Sequence, residues 1–373
     1  MTSPENKELQ LLDKASREFA LKMLAPDREE NDQYPFGKFF QSVLDKAFAL
    51  DFFHLMLPED VGGTGLGIDA LCVILGNICR EDSSLGGILF TNTLAQQILL
   101  SAGATAELKE IVEADASPAE FLIAFQSLSN PKETGQLPVA RKKGERYTLT
   151  GTADYLVLGG MAAQALIPAL LGDNQKYSFF LVPLTPGENM VVGDTVVSHG
   201  LHACPAVDLT LRGSPGTLIG REGEGEVYFK KSAAVMQVAA AAMACGLMKG
   251  AVKEAFAYCS ERVQGGRKIK DWSALQLLLS EMAIKSQVAD MLLAQACRVA
   301  DSRKKGWESS AQAAAIHIQE AAANLAPDGI QALGGVGYMK DFGQEKRFRD
   351  IGQVNAFLGH GPMKKLNFVR ELL

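Results

Sequence analysis

The stretch RYTLTGTADYLVLGGMAAQALIPALLGDNQKYSFFLVPL, residues 146–184, has a different texture from the chain on either side of it. Short runs rich in Leu, Val, Ile, Tyr and Phe (RYTLTG, YLVLG, ALIPALL, YSFFLVPL) are broken at close intervals by Gly, Pro, Asn and Asp. Runs of that length and composition read as strands, and the breakers between them as turns. The pattern extends outward through FLIAF on one side and NMVVGDTVV, DLTLRG and GTLIG on the other, from about residue 121 to residue 225. It predicts a middle antiparallel β domain over residues 119–225. No GxGxxG or GxxxxGKS follows any of these strands, so neither a Rossmann loop nor a P-loop is indicated.

Helical patterns flank the β-rich part. In KELQLLDKASREFALKML, Leu9, Leu12, Ala15, Phe19 and Met23 recur at steps of three and four, which keeps them on one face. Further helices are expected around 38–50, 67–80 and 93–113, with a glycine-punctuated loop at 58–67. Beyond residue 226 the helices are long and alanine-rich, at 229–263, 271–305 and 307–326, with a last one from Pro362. The expected fold class is α+β: an N-terminal α-helical domain over 1–118, the β domain, and a C-terminal four-helix bundle over 226–373. No internal repeat is evident. The alanine-rich helices carry more apolar surface than one small bundle hides, so part of it should be covered by another subunit.

Composition narrows the function. At 373 residues the chain suits two or three domains, and 47% hydrophobic with 21% charged residues is ordinary globular material. A formal net charge of −6 argues against nucleic acid or an anionic membrane as partner. The 6 cysteines are scattered, with no CxxC, which reads as reduced thiols of a cytoplasmic protein. MTSPENKELQ is polar and mixed in charge, unlike a secretory leader. The uncharged runs 155–172 and 232–248 lie near the lower length for a membrane span and are not apolar enough to make good ones, so no span is expected.

Residue-level chemistry is sparse. His199 and His202 sit three apart in SHGLHAC with Cys204 beside them; a turn carrying two half-exposed imidazoles accounts for them, and no metal site is expected. There is no HExxH, GxSxG or nucleophile–base signature. KGERY reads as a solvated hairpin tip. In QALGGVGYMKDFG, paired glycines after a helix either cap it or let the backbone approach another group closely. The following QEKRFRDIGQ sets Lys346, Arg347 and Arg349 between Glu345 and Asp350, which reads as a solvated, ion-paired surface.

Five segments in order together resemble the acyl-CoA dehydrogenase family. QALGGVGYMKDFGQEKRFRDIGQVNAFLG resembles its C-terminal signature, and LPEDVGGTGLG its Pro-Glu-x-x-Gly-Gly loop. SNP in FQSLSNP stands in a Ser/Thr-Glu-Pro flavin-contact segment, LTGTADYLVLGG on an aromatic-Ile-Thr-Asn flavin motif, and AYCSERVQGGRKIKDWSALQ on an Arg-x-x-Phe-Gly helix. The resemblance implies an FAD enzyme acting on an acyl-CoA thioester. A glutamate takes the α proton, the β hydride passes to the flavin, and an electron-transferring flavoprotein collects the electrons. It further implies an oligomer in which each FAD is shared between two subunits. The pyrophosphate and adenosine are then held in part by the neighbour, through positions that correspond here to Arg262, Gln331 and Gly335.

Several family positions differ. The usual base falls on Leu358, and the alternative base position on Met236, with Gln237 beside it. Neither side chain accepts a proton, so no catalytic residue is assigned, and His360 is one candidate for a relocated base. The flavin-contacting threonine corresponds to Val157 and the acid of the Glu-Pro pair to Asn130, whereas Tyr155 keeps an aromatic. The phenylalanine of Arg-x-x-Phe-Gly is Gly265. Three functions are consistent with this pattern: a subunit of a heteromeric enzyme that completes a homologous partner's FAD site, a self-sufficient flavoenzyme with a relocated base, or a flavin-free acyl-CoA-binding scaffold.

Overall fold

A computed structural model describes residues 4–33, 41–114, 117–144, 146–172 and 176–373. The N-terminal third is helical: α1 (Pro4–Phe19), α2 (Arg28–Asn31), α3 (Gln41–Phe48), α4 (Ile68–Glu81), α5 (Ser84–Ser101), α6 (Thr105–Glu113) and α7 (Pro118–Phe121). Of the helix expected at 38–50, residues 38–40 lie outside the described residues, as does Glu145 of the KGERY tip. The single helix expected at 93–113 is two, because Gly103 turns the chain through φ 76° between α5 and α6. No charge interrupts α5, and it is buried on nearly every side.

Strands occupy the middle: β1 (Ile123–Ala124), β2 (Val139–Lys143), β3 (Arg146–Val157), β4 (Gln164–Leu171), β5 (Tyr177–Pro183), β6 (Met190–Thr195) and β7 (Ala206–Ile219). They form one sheet in the order β1-β4-β2-β3-β7-β5 with β6 on β7, and β4 also pairs with β5, so the central strands close into a ring. Closure removes the open edges that an isolated small sheet would expose. The sheet is mixed and not purely antiparallel: β1 and β2 both run parallel to β4. Neither strand is joined to β4 by a hairpin, since β2 and β3 separate β1 from β4 in the chain and β3 separates β2 from β4.

The C-terminal part is α8 (Gly225–Glu261), a two-residue-per-strand hairpin of β8 (Val263–Gln264) and β9 (Arg267–Lys268), then α9 (Ser273–Ser302), α10 (Trp307–Leu333), α11 (Gln344–Val354) and α12 (Gly361–Leu372). The uncharged run 232–248 lies inside α8, the one described helix long and apolar enough to cross a membrane, and 83% of its apolar window is buried inside this fold. Small side chains let α8 pack against α4 on one side and α9 and α10 on the other. The chain therefore has one contiguous apolar core running from the N-terminal helices through the sheet to the bundle. Helix α10 runs past Pro327, where the sequence suggested a stop. The proline removes one backbone bond, but Leu325, Ala326, Ile330 and Leu333 on either side of it are buried.

Candidate functional site

The charged run before residue 350 is not a solvated surface. It forms α11, and its inward side chains Lys346, Arg347 and Asp350 are only 4%, 5% and 1% exposed. The apolar spacing of that segment is too sparse to reveal burial; the ion pairs compensate for it instead. Lys346 Nζ donates to Asp350 Oδ2 at 2.6 Å and Asp82 Oδ1 at 3.4 Å. Ser83 Oγ donates to the same Asp350 oxygen at 2.5 Å, and the Leu201 N–H to Asp350 Oδ1 at 2.8 Å. Arg349 forks onto Asp32, at 3.3 and 2.6 Å, and onto Glu345 at 2.8 and 2.9 Å. His202 completes the cluster with Nδ1 3.1 Å from Asp32 Oδ1 and Nε2 3.0 Å from Ser198 O.

This network ties the N-terminal helices (Asp32, Asp82, Ser83), the β part (Leu201, His202) and the bundle (α11) together at one point. Burial pushes Asp82 up, helped by the neighbouring Asp350 charge and opposed by Lys346. Burial opposes ionisation of Asp32 as well, but hydrogen bonds from His202 and Arg349 outweigh it and hold its carboxyl well below the usual range. The hydrogen bond to Asp32 raises His202 against the opposing effect of burial. His202 is thus half-buried and bonded on both nitrogens, whereas His199 is exposed. Among the described residues no group of three or more His, Cys, Asp or Glu side chains is placed to hold a metal ion.

Beside the network a cleft of about 490 Å³ opens between the β part and the turn from α11 to α12. Its walls include Gln126 and Ser129 from the loop after β1, Tyr155 from β3, His199 from the loop after β6, and Gln353 and His360 from the bundle. Tyr155 is held at both ends. Its backbone has φ 53°, a left-handed conformation that costs a bulky residue ~1–3 kcal/mol. Asp208 Oδ1 accepts its N–H at 2.8 Å, and across the cleft Gln353 Nε2 donates to its hydroxyl at 2.6 Å. The tyrosine's acidity is lowered by burial, which outweighs the hydrogen bond from Gln353. Gln126, Asp208 and Gln353 were not identifiable beforehand, since an isolated amide or carboxylate in a loop or strand carries no periodic signal.

The two positions that the resemblance links to proton transfer carry apolar side chains. Met236 is fully buried in α8, and Leu358 is half-buried with its N–H donated to Ser127 O at 2.8 Å. Val157 is 3% exposed, its backbone bridged to Phe125 in both directions, and offers no hydroxyl. Asn130 donates to Glu133 Oε1 at 3.3 Å and so belongs to the loop's own structure. His360 is exposed, lines the cleft and begins α12. That helix is pinned by Lys364, whose Nζ donates to Gln319 Oε1 at 3.1 Å and Asn355 O at 2.9 Å, and burial pulls its amine down to about 8.

At the far end of the bundle the picture differs. Cys259 Sγ lies 3.5 Å from Ala332 O, which brings the C-terminal ends of α8 and α10 together. Arg262, Gln331 and Gly335 sit within about a turn of that contact and are all exposed. Arg262 makes no ion pair among the described residues. Gly334 caps α10 with φ 65°, and a Cβ at Gly334 or Gly335 would meet nothing within 4 Å. The helix-cap reading of the glycine pair and the close-approach reading are therefore compatible: the turn caps α10 and leaves open space beyond it. At this end of the bundle, then, lie an exposed arginine with no ion pair among the described residues and a backbone turn that borders open space.

Comparison with known proteins agrees with this architecture. The N-terminal domain of acyl-CoA dehydrogenases matches residues 6–114, and the C-terminal domain of acyl-CoA dehydrogenases matches residues 223–371. The chain belongs to the acyl-CoA dehydrogenase family. It is 26% identical to benzylmalonyl-CoA dehydrogenase of Aromatoleum aromaticum, over 95% of each chain. It is 25% identical to the caffeyl-CoA reductase-Etf complex subunit CarC of Acetobacterium woodii, over 98% of this chain and 97% of that one. Butyryl-CoA dehydrogenase from Megasphaera elsdenii has the same fold, with a TM-score of 0.86 at 20% identity, covering 100% of this chain and 98% of that one.

Proposed function

We propose that this chain is one subunit of a heteromeric acyl-CoA dehydrogenase-type flavoenzyme in the cytoplasm, and that its Arg262, Gln331 and Gly335 complete the FAD site of a homologous partner subunit. One observation carries the reading. The bundle end proposed to meet a neighbour's dinucleotide borders open space and bears Arg262, which makes no ion pair among the described residues, while Leu358, the buried Met236 and the buried Val157 stand at the positions where the resemblance expects a base and a flavin-binding hydroxyl. FAD, when bound, supplies the hydride acceptor for α,β-desaturation of an acyl-CoA thioester. Arg262 neutralises pyrophosphate charge, Gln331 offers an amide, and Gly335 lets the backbone approach closely. Electrons leave to an electron-transferring flavoprotein.

His360 favours a second reading, in which the chain works alone with this imidazole as the base, because it is the titratable side chain of the α11–α12 turn that reaches the cleft. Desaturation assays on the isolated chain separate the two. General-base catalysis is worth roughly 10²–10⁴-fold in rate. The wild type alone should be inert toward saturated acyl-CoA, and supplying it with flavin should not help. Turnover at ordinary enzymatic rates that His360→Ala abolishes would establish the second reading instead.

A further inference from the structure

The β side of the cleft is built around an irregularity in the sheet. Where β3 pairs with β7 the register shifts between Ala153 and Leu156, so that Asp154 and Tyr155 of β3 stand opposite one residue of β7, Asp208. A bulge of this kind re-aims a side chain out of the regular alternation. This one is fastened three times. Gln126 Nε2 donates to Asp154 O at 2.7 Å, the Tyr155 N–H donates to Asp208 Oδ1 at 2.8 Å, and Gln353 Nε2 donates to the Tyr155 hydroxyl at 2.6 Å. A φ of 53° at a tyrosine persists only where its surroundings over-determine it, and these three bonds do so. The third differs from the other two, because Gln353 stands on α11, on the opposite wall of the cleft. The loop after β1 is laced to that wall as well: the Leu358 N–H donates to Ser127 O at 2.8 Å, and Asn367 Nδ2 on α12 donates to Glu133 Oε1 at 2.6 Å.

We propose that the Tyr155–Gln353 contact is a bar that closes this chain's own cleft to a flavin ring, so that exclusion of the ring is built into the fold itself. Strand β3 carries the segment that resembles a flavin motif, yet its tyrosine is bonded to the opposite wall. A planar ring that enters between the walls has to break that bond and turn the phenol aside. The bulge and Asp208 hold the backbone of Tyr155, so the side chain can yield only about its own torsions, and the open cleft is a minor population. A ligand that binds only the open arrangement loses affinity in proportion to the open fraction. The inference rests on the reading in which FAD is held at the bundle end for a partner, and it adds the physical reason why this chain's cleft does not take a flavin of its own.

The test uses the full-length chain alone and riboflavin, which carries the ring without pyrophosphate or adenosine, with the change in flavin emission as the readout. Tyr155→Ala removes the phenol. Gln353→Leu removes the donor from the other wall and leaves the bulge of β3 untouched, so the proposal does not depend on one variant folding; circular dichroism checks both. Each variant should bind riboflavin at least about tenfold more tightly than the wild type, which corresponds to a wild-type cleft open less than about a tenth of the time. If the folded variants gain no affinity and the wild type binds no flavin, the bar is wrong and the shared-site reading stands. If the wild-type chain alone binds riboflavin or FAD tightly and stoichiometrically, both fall.

Discussion

The cleft between the β part and α11 and the open end of α8 and α10 are furnished in opposite ways. In the cleft a strained Tyr155 is fastened at its backbone by Asp208 and at its hydroxyl by Gln353. At the other end Arg262 is unpaired among the described residues, and the Gly334–Gly335 turn borders open space. On the proposed function, one site of this fold would have lost its chemistry while another kept it, which is possible because the two depend on different residues. A buried ion network beside the cleft links the N-terminal helices, the β part and the bundle.

That network offers the largest test. Lys346→Ala would leave Asp82 and Asp350 buried without their shared cation, and removing one partner of a buried pair costs about 3–5 kcal/mol. Urea unfolding should show that loss. A smaller deficit than about 1 kcal/mol would mean that the three parts of the chain are fastened by the apolar core alone.

The next contrast compares the two regions directly. Arg262→Ala should weaken flavin binding by the assembly by about 1.5–3 kcal/mol, or one to two orders of magnitude, whereas Val157→Thr should leave it unchanged. Equal effects of both would erase the distinction between them. Smaller again, Tyr155→Phe removes the hydroxyl that Gln353 reaches across the cleft and should cost about 0.5–1.5 kcal/mol of stability, read as a lower Tm. No change in Tm would mean that the cleft walls are not coupled through that bond.

The smallest effect is a pH dependence. His202 is held above its ordinary value of 6.5 by Asp32, so its contribution to stability is complete below that value and fades as pH rises through the range above it. The Tm difference between wild type and His202→Gln should therefore be greatest below pH 6.5 and shrink in alkaline solution. A difference that grows with pH would mean that the neutral imidazole is the stabilising form.

The fold was largely legible in the sequence because its signals are local. Strand runs and turn residues mark the middle third, and three-and-four spacing marks the helices. The mixed pairing of β4 was not legible, since strand order depends on contacts between residues far apart in the chain. Helix α11 was misread as solvated surface: nothing in QEKRFRDIGQ shows that its partners Asp32, Asp82 and Leu201 arrive from 149–317 residues away. Of the site, the apolar residues Val157, Met236 and Leu358 are plain in the sequence, and what they replace is read only from the resemblance. Tyr155's two tethers could not, because Asp208 and Gln353 have no local pattern.

Flavin stoichiometry gives the most direct measurement. The chain is purified alone and again after mixing with its homologous partner subunit, and visible absorption near the flavin bands is measured per mole of each polypeptide. The chain alone should be colourless, and the mixture should hold flavin in an amount set by the partner and lost with Arg262→Ala. A chain that is yellow by itself, with one flavin per polypeptide, would contradict a flavin site completed only with another subunit.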